Sequence, residues 1–192
     1  MKKGKNFSCN NTGKRHKSDF YQTPYSLTDL LLTKESLVGN VLEPACGNNA
    51  IVDRLPYCTE YYDREHNFLS EQRHDYFDTI ITNPPFSLAK EFIIKAKEIA
   101  TQKIMFLLPL SYLHGIERYK DIWQDNKFPL KTVYVFTRYP MLEETVRPDG
   151  KHKTGMMVYA WFVWDKKYNG NPKIDWLNNN EYILKEKSKK NA

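Results

Sequence analysis

The sequence predicts an α/β fold with a mainly parallel sheet and a late antiparallel hairpin. Short apolar runs bounded by Pro, Gly and Asn alternate with segments of helical periodicity through residue 123. Two β-rich runs then flank a turn-forming Pro148-Asp149-Gly150. A chain of 192 residues suits one domain and leaves little room for two.

Taken in order, residues 1–19 are polar, lysine-rich and aperiodic, and read as a flexible basic arm. Residues 20–180 read as a single domain, and 181–192 as a polar basic tail. Thr23-Pro24 before Leu27, Leu30 and Leu31 predicts a helix with Thr23 as N-cap and Pro24 at its first position. Val41–Glu43 predicts a short strand running into Pro44-Ala45-Cys46-Gly47, then a short helix using Ile51, Val52 and Leu55. Thr59–Tyr62 predicts a second strand ending at Asp63, and Asp78–Thr82 a third ending at Asn83-Pro84-Pro85. Leu88, Phe92, Ile93, Ala96 and Ala100 recur at helical spacing. Lys103–Leu108 predicts a buried strand, Ile116–Trp123 a helix, and Val133–Phe136 with Met156–Trp164 a long hairpin.

Composition narrows the class. Hydrophobic residues at 41% and charged residues at 27% give an ordinary core and exclude a disordered chain. The net charge of +6 is compatible with a polyanionic partner without establishing one. Three cysteines without a CxxC pair argue against a disulfide framework, and the scattered histidines lack the short spacings of a zinc site, so no metal is expected. The longest apolar stretch, Ile104–Leu110, is too short to span a bilayer. A soluble protein of a reducing, cytoplasmic compartment is expected.

Ligands of open α/β sheets bind beyond the carboxyl ends of the strands, near the switch point. Three clusters fall there. In the first, the strand Val41–Glu43 breaks into Pro44-Ala45-Cys46-Gly47-Asn48-Asn49 before a helix. Gly47 permits close backbone approach, and Asn48 or Asn49 can take a positive φ. The second is Asp63, whose carboxylate at a strand end can accept both hydroxyls of a ribose. The third is Asn83-Pro84-Pro85-Phe86. Two prolines stiffen the backbone and donate nothing, so carbonyls face outward. The Asn83 amide oxygen and the Pro84 carbonyl together form a paired acceptor for an –NH₂ group, and Phe86 offers a face for a planar ring.

These residues resemble the class I S-adenosylmethionine-dependent methyltransferases, specifically the compact phage-type and prophage-type enzymes that modify adenine N6 in DNA. The family's (Asp/Asn)-Pro-Pro-(Tyr/Phe) motif matches Asn83–Phe86, its Glu-Pro-x-x-Gly motif Glu43–Gly47, and its Thr-Pro element Tyr21-Gln22-Thr23-Pro24. The similarity spans roughly residues 20–177. Asn49 stands where the family commonly has a second glycine, and the stretch from Asp63 to Asn83 is short, so the strand usual there is compressed or lost.

The resemblance implies a Rossmann-like class I methyltransferase fold with helices on both faces, and S-adenosyl-L-methionine as cofactor. Tyr21, Thr23 and Pro24 would line its methionine end. Glu43, Pro44, Ala45 and Gly47 would form the loop beneath it, and Asp63 would hold the ribose. Asn67 would face the cofactor's adenine, with Phe68 packed on that ring. Asn83 and Pro84 would bind the target amino group, Pro85 would stiffen the loop, and Phe86 would stack on the flipped base. Tyr139 would be a second wall of the base pocket. Arg118, Arg138, Arg147, Lys151, His152 and Lys153 are candidate phosphate contacts.

Duplex DNA is thus the expected partner of a monomer or weak homodimer, in a bacterial or phage-infected cell. Without a separate target-recognition domain, short or relaxed site specificity is expected. Two other readings share these residues: an RNA adenine-N6 methyltransferase, and a non-catalytic nucleic-acid-binding protein that keeps the fold. Protein glutamine methyltransferases use a similar loop but typically carry tyrosine where Phe86 stands and an extra N-terminal helical domain.

Overall fold

The structure, a computed structural model, describes residues 22–62, 67–70, 76–138 and 158–180. Among them seven strands form one sheet: β1 (Val41–Glu43), β2 (Glu60–Tyr61), β3 (Phe77–Thr82), β4 (Ala100–Pro109), β5 (Leu130–Phe136), β6 (Tyr159–Asp165) and β7 (Lys173–Leu177). Their order is β2-β1-β3-β4-β6-β5-β7. Strands β1 to β4 run parallel, β6 is antiparallel to both β4 and β5, and β7 joins β5 in parallel. The expected α/β class, parallel sheet and antiparallel hairpin are all present. Among the described residues no strand lies between β2 and β3.

Each face of the sheet is covered. Side chains alternate along a strand, so β4 sends Ile104, Phe106 and Leu108 to one face and Met105 and Leu107 to the other. The first face packs against helix α2 (Ala89–Ile99), which buries Ala89, Phe92, Ile93 and Ala96. The second packs against helix α1 (Tyr25–Leu32) through Leu27, Leu30 and Leu31. Trp161 Nε1 donates to the Leu27 carbonyl at 2.9 Å, tying α1 to β6 inside the core. Strands buried on both faces read as continuous apolar runs, which is why β4 and β6 are conspicuous in the sequence.

Several boundaries differ from expectation. Helix α1 starts at Tyr25, with Pro24 in the cap position and no side-chain cap bond. Thr23 is not the cap, because its hydroxyl is engaged elsewhere. Leu88 sits in a 3₁₀ turn (Phe86–Leu88) and is 41% exposed, while Ala100 opens β4 rather than closing α2. The helix expected over 116–123 is an α turn (Ile116–Arg118) followed by a π turn (Tyr119–Trp123). The short helix after β1 is a single 3₁₀ turn, Val52–Arg54. Strand β7 was not expected at all. The hairpin turn at 148–150 lies outside the described residues.

At the opposite end of the sheet a buried charge cluster closes the loop after α1. Glu35 accepts hydrogen bonds from Lys103 Nζ (2.9 Å), Lys131 Nζ (3.0 Å) and the Tyr134 hydroxyl (2.9 Å). Burial works against its ionisation, but these partners together hold the Glu35 carboxyl below its ordinary range.

Candidate active site

The chain builds β1, moves outward to β2, then returns to place β3 on the other side of β1. The carboxyl ends of β1 and β3 therefore flank the switch point, where loops leaving neighbouring strands diverge and open a crevice. The Glu43 loop leaves β1 there, and the Asn83 loop leaves β3.

The first loop is built on buried Glu43. Its Oε1 accepts the Ala45 N–H at 2.9 Å, curling the chain immediately after the strand. The Cys46 N–H donates to the Tyr62 carbonyl at 3.0 Å and the Tyr62 N–H to the Glu43 carbonyl at 2.9 Å, so the loop is pinned to the end of β2. The Asn49 N–H closes the turn onto the Cys46 carbonyl at 2.8 Å. Gly47 and Asn49 have φ of 57° and 66°, the left-handed region that glycine and asparagine enter most readily. Asn49 thus adopts the conformation a glycine would supply.

Glu43 is unusual electrostatically. Burial, the dominant cause, pushes its carboxyl up to about 8; the nearby Thr82 hydroxyl and the Ala45 N–H pull the other way. Neither Glu43 Oε2 nor Thr82 Oγ1 makes a hydrogen bond of ordinary geometry within the described residues. Cys58 lies close by, its thiol raised by burial and by the Glu43 charge. The buried carboxyl thus sits at the root of the loop that carries exposed Gly47.

The second loop places Asn83 at the end of β3. Asn83 Nδ2 donates to Thr23 Oγ1 at 3.0 Å, so the amide's carbonyl oxygen is its acceptor end. Pro84 is buried, and Pro85 (φ −55°) uses its own carbonyl to accept the Leu88 N–H at 2.9 Å. The Pro85 carbonyl is therefore engaged in the turn that follows. The Phe86 ring lies 5.4 Å from that of Tyr159 at an interplanar angle of 30°. Tyr159 backs the loop, a role that nothing in its sequence context distinguished.

The remaining candidates are placed variously. Asn67 is exposed, and its Oδ1 accepts the Leu69 N–H at 3.1 Å. Phe68 is only 2% exposed and packs 5.0 Å from Phe92, so its ring belongs to the core rather than to a solvent-facing wall. Thr23 is buried and Pro24 half-buried, both directly before α1. Arg118 donates from Nε to the His114 carbonyl at 2.7 Å and lies over the Tyr112 ring, bracing its own turn. Arg138 is exposed, with its backbone held by Asn179. Because β5 runs parallel to β4, Arg118 and Arg138 both follow strands whose carboxyl ends lie on the same side of the sheet as the two loops, with β5 two strands beyond β4. Tyr21, Asp63, Tyr139, Arg147, Lys151, His152 and Lys153 lie outside the described residues. Among the described residues no group of three or more His, Cys, Asp or Glu converges as a metal site, and no helix is long and apolar enough to cross a membrane.

The chain has the Rossmann-like class I methyltransferase fold. A Listeria monocytogenes protein named as a class I S-adenosylmethionine-dependent methyltransferase superposes with a TM-score of 0.54 at 14% identity, covering 82% of this chain and 65% of its own. The M protein of the type I restriction enzyme EcoKI also gives 0.54, at 16% identity over 80% of this chain and 45% of its own. A Thermotoga maritima S-adenosylmethionine-dependent methyltransferase gives 0.50 at 12% identity, covering 74% and 89%. This chain therefore spans about two thirds of the Listeria protein and under half of the M protein. No family model and no curated protein matches the sequence.

Proposed function

We propose that the protein is an S-adenosylmethionine-dependent methyltransferase acting on adenine N6 in DNA. One observation carries this reading: the Glu43–Asn49 loop and the Asn83–Phe86 loop leave adjacent parallel strands at the switch point; we read them as a cofactor loop beside an amine-binding loop. The M protein of EcoKI, of the same fold, is consistent with a DNA substrate.

The cofactor, when bound, supplies an electrophilic methyl group on a sulfonium. Thr23, Pro24, Glu43, Ala45 and Gly47 would hold it, with Asn67 at its adenine end; Tyr21 and Asp63 are assigned to it from sequence. Glu43, protonated near neutrality, can ionise when a cationic group arrives. The target N6 lone pair is delocalised into the adenine ring and is a poor nucleophile. Accepting both N6 hydrogens on Asn83 Oδ1 and the Pro84 carbonyl favours a tetrahedral nitrogen with its lone pair free to attack. Catalysis is then orientation and electrostatics, with no strong base, and the proton released afterwards leaves to solvent. Phe86, backed by Tyr159, would stack on the flipped base. Flipping costs a few kcal/mol, which the basic surface at Arg118 and Arg138 and along 147–153 would offset through phosphate contacts.

The φ of 66° at Asn49, the conformation a glycine would supply, supports an intact cofactor loop over a non-catalytic chain. The test is transfer of labelled methyl from S-adenosylmethionine to unmethylated duplex DNA, with RNA and protein in parallel, followed by nucleoside analysis. N6-methyladenine in DNA is expected, reduced roughly a hundredfold or more in Asn83→Ala. Label confined to RNA or protein would replace the substrate, and no transfer to any of them would refute the reading.

A further inference from the structure

We infer that Thr23 is a positioning residue for Asn83, holding the amide that grips the target amine, rather than simply part of the cofactor wall. The two residues are 60 apart in sequence, and the contact is Asn83 Nδ2 to Thr23 Oγ1 at 3.0 Å. For its catalytic consequence this inference rests on the methyltransferase reading above; the contact itself does not.

The backbone is held on both sides of the contact. Asn83 leaves a strand buried on both faces and precedes a proline, which restricts it to extended conformations. On the other side, Pro24 fixes the chain at φ −59°, and its carbonyl accepts the Leu27 N–H at 3.0 Å. Leu27 is in turn buried and receives the Trp161 indole N–H at 2.9 Å. A hydrogen-bonded path therefore runs from the centre of β6 through the first turn of α1 to the residue that meets Asn83.

The Asn83 side chain ends in a torsion that is intrinsically broad and roughly two-fold. An amide presents oxygen in one orientation and N–H₂ in the other, and only the oxygen can accept from a substrate amine. A flipped amide would set donor against donor. The Thr23 hydroxyl accepts the N–H₂ end and so favours the productive orientation, at a residue only 4% exposed, where water competes poorly.

The experiment compares wild type with Thr23→Val, which keeps shape but removes the hydroxyl, and Thr23→Ser, which restores it. Three quantities are read: kcat, the cofactor dissociation constant, and the hydrogen-exchange protection of the Asn83 side-chain NH₂ in ¹⁵N NMR, identified by its loss in Asn83→Ala. Thr23→Val is expected to lower kcat about three- to tenfold, as for one net hydrogen bond. It should lower kcat more than it weakens cofactor affinity, cost some thermal stability because a buried NH₂ loses its acceptor, and remove the amide protection, while Thr23→Ser recovers both kcat and protection. A weakened cofactor affinity with kcat intact would overturn the inference and return Thr23 to the cofactor wall. Protection that survives in Thr23→Val would overturn it as well. If wild type transfers no methyl group, it is the methyltransferase reading that fails, while the NMR comparison still decides whether Thr23 holds Asn83.

Discussion

Glu43→Gln isolates a proton that the fold holds against solution chemistry. In the folded protein burial pushes the Glu43 carboxyl up to about 8 from its ordinary 4.5. The sign follows from proton counting. Between those two values the folded chain binds a proton at Glu43 that the unfolded chain has lost, so stability falls as pH rises. Below pH 4.5 both states are protonated and the cost vanishes; above about 8 both are ionised and the cost is complete. A span of roughly 3.5 pH units at 1.36 kcal/mol each gives about 5 kcal/mol as an upper bound. Glutamine is isosteric, stays neutral, keeps an oxygen for the Ala45 N–H, and brings an NH₂ group to the neighbouring Thr82 hydroxyl. The assay is urea unfolding of wild type and Glu43→Gln from pH 5 to pH 8, taking the difference at each pH so that every other titration cancels. The variant's advantage should grow by up to about 4 kcal/mol across that range. Glu35, Asp78, Asp125 and Asp175 are all held low and titrate below this window, whereas Tyr112, pushed up to about 12, titrates above it. Parallel stability profiles for the two proteins would show that Glu43 is ionised in the fold and refute the reasoning.

Two further outcomes follow from the scaffold. Gly39 has φ of 53°, and a Cβ built there lies 1.9 Å from Asp78 Oδ2. Swinging Asp78 aside would give up hydrogen bonds from the Asn40 N–H, Thr101 and Gln102, so Gly39→Ala should cost about 2 kcal/mol or more in urea unfolding. Removing Glu35 leaves Lys103 buried beside a carbonyl with no counter-charge, and Glu35→Ala should lose about 3–5 kcal/mol at neutral pH. Because the Glu35 carboxyl is held low, that contribution should be constant from pH 5 to 8 and fade only as acid protonates it in the fold.

Much of the candidate site is local chemistry, and local chemistry is legible in a linear chain. Proline limits φ wherever it stands, so Asn83-Pro84-Pro85 is a stiff turn at a strand end before anything packs on it. Gly47 and Asn49 read as residues tolerant of positive φ, and both adopt it. The periodicity of 88–100 located α2, although its two end positions belong to a 3₁₀ turn and a strand, because apolar spacing does not mark where a helix ends and terminal turns are often 3₁₀. Strand β7 is not legible in the sequence for a related reason. Ile174 and Trp176 remain exposed on an edge strand, so no buried alternation marks it, and its register exists only against β5.

The sequence by itself therefore determined the class of the fold, the order of the two loops and the residue types at the crevice. Each of these follows from torsional limits and side-chain periodicity over a few neighbouring residues. Tertiary structure alone decided that Thr23 meets Asn83, that Tyr159 backs Phe86, that the Phe68 ring sinks into the core, and that Glu43 keeps its proton near neutrality. Those are properties of pairs far apart in the chain, or of water excluded by many side chains at once. Proximity and desolvation come into being only when the sheet and its helices close on each other.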